Sequence, residues 1–259
     1  MGRIIYKTPR DLERMRDAGV IVSTVLAALR DEVAPGRSTL ELDRVAFDLI
    51  RRHGGHPSFL GYRGYPASIC TSINEEVVHG IPNKTRVLRE GDIVKLDVGV
   101  RLKGFHADSA ITVPVGQASE EVTRLLRATR ESLWAGIKAI SFRGRLMDIA
   151  QAVQERVERD GFAIVRDMVG HGVGRNLHEE PQIPNYVNPE HPNPQLLDGM
   201  TLAIEPMVNI GVADIEILPD KWTVVTADRK ASAHFEHTVA VTRNGPDVLT
   251  LGPHDSGPA

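Results

Sequence analysis

The chain has 259 residues and a formal net charge of −3; 41% of it is hydrophobic and 25% charged. That is an ordinary globular composition, long enough to bury a sizeable core, and its mild acidity gives no electrostatic case for nucleic acid or an anionic membrane as partner. A single cysteine, Cys70, excludes an intrachain disulfide, and no apolar run approaches the ~20 residues that cross a bilayer, so a cytoplasmic location is expected. Met1-Gly2 does not signal myristoylation, because Tyr6 stands where Ser or Thr is required.

In chain order, Thr8-Pro9-Arg10-Asp11 predicts a capped helix start, with the helix running to about Glu32 before Pro35-Gly36. A second helix is predicted over 39–53, with Leu42, Val45, Ala46, Leu49 and Ile50 on one face and Gly54-Gly55 ending it. A loop rich in Gly, Pro and Tyr spans 61–66, and 92–113 reads as a β-hairpin. Helices follow over about 120–139 and 147–160, then a Gly-rich loop over 170–175. Two β segments near 201–209 and 233–242 precede a tail, 252–259, expected to be flexible.

The pattern recurs in register. Leu42, Val45, Ala46, Ile50 and Gly54 match Ile149, Ala152, Val153, Val157 and Gly161 at an offset of 107, and Gly91 and Asp97 match Gly199 and Glu205 at 108. His106-Ala107-Asp108 resembles His234-Phe235-Glu236 after an insertion of 20 residues. Apolar matches arise between any two amphipathic helices; carboxylates in register are less easily accidental. The expected fold is α+β: one domain of two αα-ββ halves, about 1–118 and 119–251, related by a pseudo-twofold axis around a central antiparallel sheet. Acidic residues from both halves meet between them.

Four of those residues interrupt apolar strands: Asp97 in Ile93–Val98, Asp108 in Phe105–Ile111, Glu205 before Pro206, and Glu236 before His237. With the hairpin turning at Leu102-Lys103, Asp97 lies directly opposite Asp108, Cβ atoms ~4.5–5.5 Å apart. Like charges that close need something positive between them. A lone strand carboxylate is as readily a surface residue or half of an ion pair; four in two matching pairs are not. Two Asp and two Glu balance two divalent ions, and a histidine adds a neutral ligand, leaving a metal-activated water as nucleophile. His171 is flanked by Gly170 and Gly172, with His178 close by in sequence. An oxygen-rich set with one imidazole suits Mn, Fe(II), Co or Zn without selecting among them.

The sequence resembles the bacterial type I methionine aminopeptidases of the pita-bread metallopeptidase family from about Ile5 to Leu251. The resemblance rests on Gly61-Tyr62 with Gly64-Tyr65-Pro66, Ser72-Ile73-Asn74-Glu75 with His79-Gly80-Ile81-Pro82, and Gly91-Asp92-Ile93-Val94 with Asp97. It rests also on Gly170-His171-Gly172 with Gly174-Arg175, His178-Glu179-Glu180-Pro181 and Ile204-Glu205-Pro206-Met207. It implies Asp97, Asp108, His171, Glu205 and Glu236 as metal ligands, with Asp108 and Glu236 bridging. It implies that His79 contacts the scissile amide, His178 supports the carbonyl oxygen, and Glu205 relays a proton. Tyr62, Tyr65, Cys70 and Trp222 would line the methionine pocket. Backbone carbonyls of Asn74 and Glu76, with Ser232, would hold one monovalent cation. The sequence departs from the family pattern at Phe59, where Cys is common at the pocket rim, at Arg63, where His is common, and at Leu177, where Phe is common beside the pocket.

The activity so implied is removal of the initiator methionine from nascent polypeptides near the ribosome, when the second residue is small and uncharged, by a monomer. A free α-amine can reach a metal only at a peptide's end, which favours an aminopeptidase. Three alternatives stay open at this point. An aminopeptidase P or prolidase relative shares fold and ligands but usually carries a large N-terminal domain. A non-catalytic pita-bread binding protein loses ligands, and all five are present. An unrelated dinuclear phosphoesterase would act on phosphate esters.

Overall fold

The computed structural model describes residues 2–252; of the tail expected to be flexible, only Gly252 lies within the described residues. Helices α1 (Pro9–Glu32) and α2 (Thr39–Arg52) begin where the sequence predicts. Thr8 and Ser38 cap them, each closing a capping box with the acid three residues on, Asp11 and Glu41, so that amides without intrahelical partners are satisfied. Helices α3 (Glu120–Lys138) and α4 (Leu146–Arg159) form the second pair.

The strands, in chain order, are β1 (His56–Pro57), β2 (Cys70–Ile73), β3 (Glu76–Val78), β4 (Ile93–Leu102), β5 (Phe105–Pro114), β6 (Ala163–Ile164), β7 (Gly170–Gly172) and β8 (Glu179–Ile183). After them come β9 (Thr201–Ile204), β10 (Met207–Asn209), β11 (Ile215–Ile217), β12 (Val224–Thr226), β13 (Ser232–His234), β14 (Glu236–Thr242) and β15 (Gly245–Val248). The largest sheet is antiparallel, in the order β1-β4-β5-β14-β9-β7-β8, with β2 added to β4 and β15 to β14. Two smaller sheets, β13-β10-β6 and β11-β12-β3, complete the β structure of the described residues.

Strand alternation sorts the side chains between two faces. Val94, Leu96, Val98 and Val100 of β4 pack with Ala107 and Val113 of β5 against Val22 and Leu26 of α1 and Leu42, Ala46 and Ile50 of α2. Leu202 and Ile204 of β9 and Val239 and Val241 of β14 pack in the same way against Leu133 and Ile137 of α3 and Ile149 of α4. The intervening residues, Lys95 and Asp97 on β4, Asp108 on β5 and Glu236 on β14, are thereby turned to the opposite face, and all four are buried.

The hairpin turn falls at Lys103-Gly104, φ 51° and 82°, one residue beyond the expected place. These are the left-handed dihedrals of a two-residue hairpin loop, for which Gly104 is suited. Asp97 therefore pairs with Ala110 and Asp108 with Gly99, not with each other. A slip of two positions keeps both aspartates on one face, as diagonal neighbours ~7–8 Å apart along the backbone.

The Gly-rich segment expected as a loop over 170–175 begins as a strand, β7, held between β8 and β9. A Cβ at Gly170 would strike Ala203 O and one at Gly172 would strike Glu180 O, so these glycines admit neighbouring strands. The β segment expected over 201–209 breaks at Glu205-Pro206: β9 stays in the large sheet while β10 joins another. Pro206 has no N–H for a ladder. No helix among the described residues is long and apolar enough to cross a membrane.

Gly19 lies buried in α1, where a Cβ would collide with the backbone carbonyl of Leu249. Alanine is normally favoured over glycine in a helix by ~0.5–1 kcal/mol. Overpacking at ~1–3 kcal/mol outweighs that gain, so Gly19→Ala is expected to lower Tm by at least ~2 °C. Thermal unfolding followed by circular dichroism gives the sign; a raised Tm would show that α1 does not meet the Leu249 backbone this closely.

Candidate active site

One cavity of about 250 Å³ gathers every residue named above as ligand, catalytic or pocket-lining: Phe59, Tyr62, Tyr65, Cys70, His79, Asp97, Asp108, His171, Leu177, His178, Glu205, Trp222 and Glu236. It is at or below the small end of ligand pockets, ~300–1,000 Å³, a size for one amino-acid residue. Arg63, noted from sequence as a departure from the family pattern, completes the wall with Val78, Asp167, Met168, Val169 and Met207; these last five were assigned no role from sequence.

The carboxylates come from four separate elements. Asp97 is mid-β4, paired across to Cys70 of β2. Asp108 is fixed through its own backbone, since Asp108 N donates to Thr238 Oγ1 at 2.9 Å and Thr238 Oγ1 donates to Asp108 O at 2.8 Å. Glu236 opens β14 opposite Ala110, and Ser109 Oγ donates to its carbonyl at 2.5 Å. Glu205 follows β9, its carbonyl accepting from Asn185 Nδ2 at 3.1 Å.

Asp108, His171 and Glu236 bring ligand atoms within 4.8 Å of one another, all buried. Oxygens of Asp97, Asp108 and Glu236 are buried without a hydrogen-bond partner, an arrangement that native proteins avoid unless something else binds there. Burial, and then the neighbouring carboxylates, hold Asp97 and Glu236 well above the usual carboxyl range; burial followed by Asp108 does the same to Glu205. Burial raises Asp108 to about 7 against the hydrogen bonds that oppose it. The donor set fits divalent cations: their charge would offset the repulsion and fill the orphaned lone pairs.

The histidines differ in role. His171 Nδ1 lies 2.8 Å from Gly172 O; a carbonyl can only accept, so Nδ1 carries the proton and Nε2 keeps a lone pair for a metal. Burial lowers His171 and His79 to about 4 and His178 to about 3, so all three are neutral at pH 7. His178 stacks on Tyr62 with ring centroids 5.2 Å apart and lies 4.1 Å from the His171 ring. His79 holds a left-handed φ of 60° just past β3 and faces the Trp222 ring edge-on at 6.2 Å. Such a dihedral costs a non-glycine residue ~1–3 kcal/mol and persists only where its surroundings impose it.

Phe59, Tyr65, Cys70 and Leu177 form a buried apolar cluster with Tyr62 and Trp222 packed on it. Tyr65 Oη shares its one proton between the carbonyls of Ile69 and Gly80, at 3.1 and 3.0 Å, which satisfies its polar end and leaves the ring for the pocket.

Sequence reasoning missed His234. Its ring is buried with both nitrogens unpartnered, and Nε2 lies 3.8 Å from Glu205 Oε2. The signal was present in the repeated His-x-acid pattern, whose first copy, His106, instead bonds Ser58 Oγ at 2.8 Å. The monovalent cation expected at Asn74, Glu76 and Ser232 is a correction. Lys95 Nζ donates to Asn74 O at 2.7 Å and Ser232 O at 2.8 Å, so two of those carbonyls are already taken and the residues do not fit an added ion.

Fold and site together define a class: a metal-dependent peptidase built on a curved antiparallel sheet backed by two helix pairs. Residues 13–243 match metallopeptidase family M24, and the chain belongs to that family, among its type I methionine aminopeptidases with the pita-bread fold. Methionine aminopeptidase 1 of Bacillus subtilis is 51% identical over 247 residues, covering 95% of this chain and 99% of that protein. The crystal structure of methionine aminopeptidase from Thermotoga maritima superposes with a TM-score of 0.93 at 45% identity, covering 96% of this chain and 99% of that one. Prolidase from Pyrococcus furiosus shares the fold alone: TM-score 0.74 at 21% identity, covering 96% of this chain and 66% of that one.

Carboxyls with raised folded-state pKa values cost stability wherever the same groups would ionise in the unfolded chain. At Asp108 the cost is absent below the ordinary carboxyl range near ~4, grows as pH rises from there, and levels off above about 7. The buried neutral histidines act oppositely, costing stability as pH falls below 6.5, so the carboxylate effect is read as variant minus wild type. Stripped of metal, Asp108→Asn is expected to come closest to wild type in Tm near pH 4 and to exceed it by pH 8. With divalent ions added the order reverses, because the variant has lost a ligand. Scanning calorimetry at the two pH values decides; equal Tm values at pH 8 would mean that Asp108 carries no electrostatic cost.

Proposed function

We propose that the chain removes N-terminal methionine from peptides with a small second residue, using two divalent ions held by Asp97, Asp108, His171, Glu205 and Glu236. The observation that carries this reading is that the carboxylate cluster and the apolar aromatic cluster line the same amino-acid-sized cavity. Bound there, the ions supply a water acidified to near-neutral pKa and a Lewis acid for the scissile carbonyl.

The protein's own groups account for the rest. Phe59, Tyr62, Tyr65, Cys70, Leu177 and Trp222 take the methionine side chain; an unbranched, polarizable thioether suits aromatic walls. His178, neutral, donates a hydrogen bond to the carbonyl oxygen as negative charge develops on it. His79, also neutral, hydrogen-bonds the substrate beside the scissile amide. Glu205 has its carboxyl pKa raised by burial and by Asp108, which suits a group that accepts a proton from water and delivers it to the leaving amine. Burial of the site excludes bulk water and strengthens each of these interactions. The working location is the cytoplasm, the substrate nascent chains near the ribosome, and the enzyme a monomer.

His178→Ala and His79→Ala are each expected to lower turnover at least ~10-fold while bound metal stays at the wild-type level. Metal analysis beside the kinetics separates the roles: loss of metal in either variant would make that histidine a ligand or a support of one.

Cleavage is expected in Met-Xaa-Ser peptides when Xaa is Gly, Ala, Ser, Thr, Pro, Val or Cys. Lys, Glu, Leu and Phe should be cut at least a few hundredfold more slowly, as a steric penalty of ~3–4 kcal/mol implies. Leu177 is smaller than the phenylalanine common there and would soften the rule. Equal rates for Met-Gly-Ser and Met-Phe-Ser would make this a broad aminopeptidase; preference for Ala-Pro over Met-Ala-Ser would favour the prolidase reading.

A further inference from the structure

Lys95 is the least expected side chain on the inner face of the sheet. It is 1% exposed and points the same way as Asp97, two residues along β4. A buried lysine normally demands a partner or a functional reason. Its amino group donates to two backbone carbonyls, Asn74 O at 2.7 Å and Ser232 O at 2.8 Å.

Both carbonyls are held in place independently of Lys95. Asn74 takes a left-handed φ of 49° in the turn between β2 and β3. Its side chain is clamped by Asp92 Oδ1 at 2.8 Å and the Ile93 amide at 3.0 Å. Ser232 N donates to Asn74 O at 3.0 Å, and Ser232 begins β13, paired with Asn209 of β10. Two carbonyl oxygens thus converge from the β2–β3 turn and from β13 on one point, and Lys95 Nζ occupies it.

Converging carbonyl oxygens are the usual way a protein holds an alkali-metal ion. An ammonium group is close to potassium in size and replaces it between oxygens, with N–H donors aimed at the same lone pairs. An ion bound by both carbonyls would have to share their lone pairs and overlap Nζ, so the two are mutually exclusive. The geometry needs two N–H donors, which the amino group has in either protonation state.

We propose that Lys95 is a built-in substitute for an alkali-metal ion, tying the β2–β3 turn and β13 to β4, so that this protein needs no sodium or potassium to hold its site. Emptying the position should recreate an ion site, because Asn74 and Ser232 are set by other contacts. The proposal does not depend on the peptide specificity above, since its principal readouts are stability and ion binding.

The test compares the metal-loaded wild type with Lys95→Ser in choline, sodium and potassium chloride at equal ionic strength. Wild-type Tm and peptide turnover are expected to be the same in all three salts, and thallium-205 NMR should show no saturable binding of thallium(I), the potassium mimic. Lys95→Ser is expected to melt lower in choline, to recover at least ~3 °C with potassium or sodium, and to bind thallium saturably. Saturable ion binding by wild type, or an alkali-dependent wild-type Tm, would overturn the proposal whatever the variant does. So would a folded Lys95→Ser that keeps the wild-type Tm in choline and binds no alkali ion. If Lys95→Ser does not fold in choline, Lys95→Ala, which empties the position and adds no donor, is put through the same comparison with the same expected and overturning outcomes. Failure of methionine cleavage would leave these outcomes untouched.

Discussion

Three carboxyl groups buried on one face of one sheet, with a fourth, Glu205, at the break just beyond β9, are the constraint from which the rest of this structure follows. Desolvation and mutual repulsion oppose their ionisation together, and no backbone arrangement removes that cost. What the fold does is make the face unavoidable. Valines and leucines on the alternate positions of β4, β9 and β14 bury against the helices, and each such residue commits its neighbour to the opposite side. Rotating one carboxylate away from the cavity would expose a core residue in exchange. Apolar burial at ~25 cal/mol per Å², summed over both helix pairs, sets the carboxylates against one another and reserves the space between them for cations.

Helix positions and the faces of the long strands were legible in the sequence for a physical reason. The cap at Thr8, glycine stops and amphipathic spacing act locally, and a period of two determines the face whatever the register. The hairpin illustrates the boundary: the turn was placed one residue early and the pairing two positions off, yet Asp97 and Asp108 stayed together. What local signals cannot supply is partner choice. Strands of two to five residues such as β1, β6 and β8 are too short to show alternation and exist because neighbours hold them. Gly170 and Gly172 looked like loop residues, since the same residue type serves a free turn and a tight strand crossing; only the position of Ala203 and Glu180 distinguishes the two.

The cavity residues were legible through their motif pattern, whereas Lys95 and His234 were not. Lysine in an apolar strand reads as an edge charge, and its two carbonyl partners lie 21 and 137 residues away in sequence. His234 shares its His-x-acid pattern with His106, but the two rings meet different surroundings, Glu205 in one case and Ser58 in the other. Duplicated sequence elements preserve backbone placement more faithfully than side-chain employment.

The junction between β5 and β14 is short: two register pairs, Glu236 with Ala110 and His237 with Ser109. Thr238, bonded to Asp108 across 130 residues of sequence, lengthens it. Contacts between segments so distant in the chain carry a larger loop-closure cost than those of the local hairpin and helix pairs. A polypeptide emerging from the ribosome displays Asp97 and Asp108 well before Glu205 and Glu236 exist to complete the set. The full electrostatic cost therefore needs both halves of the chain, since Glu205 and Glu236 add their charges to those of Asp97 and Asp108, and so does the full set of groups able to hold the ions that offset it.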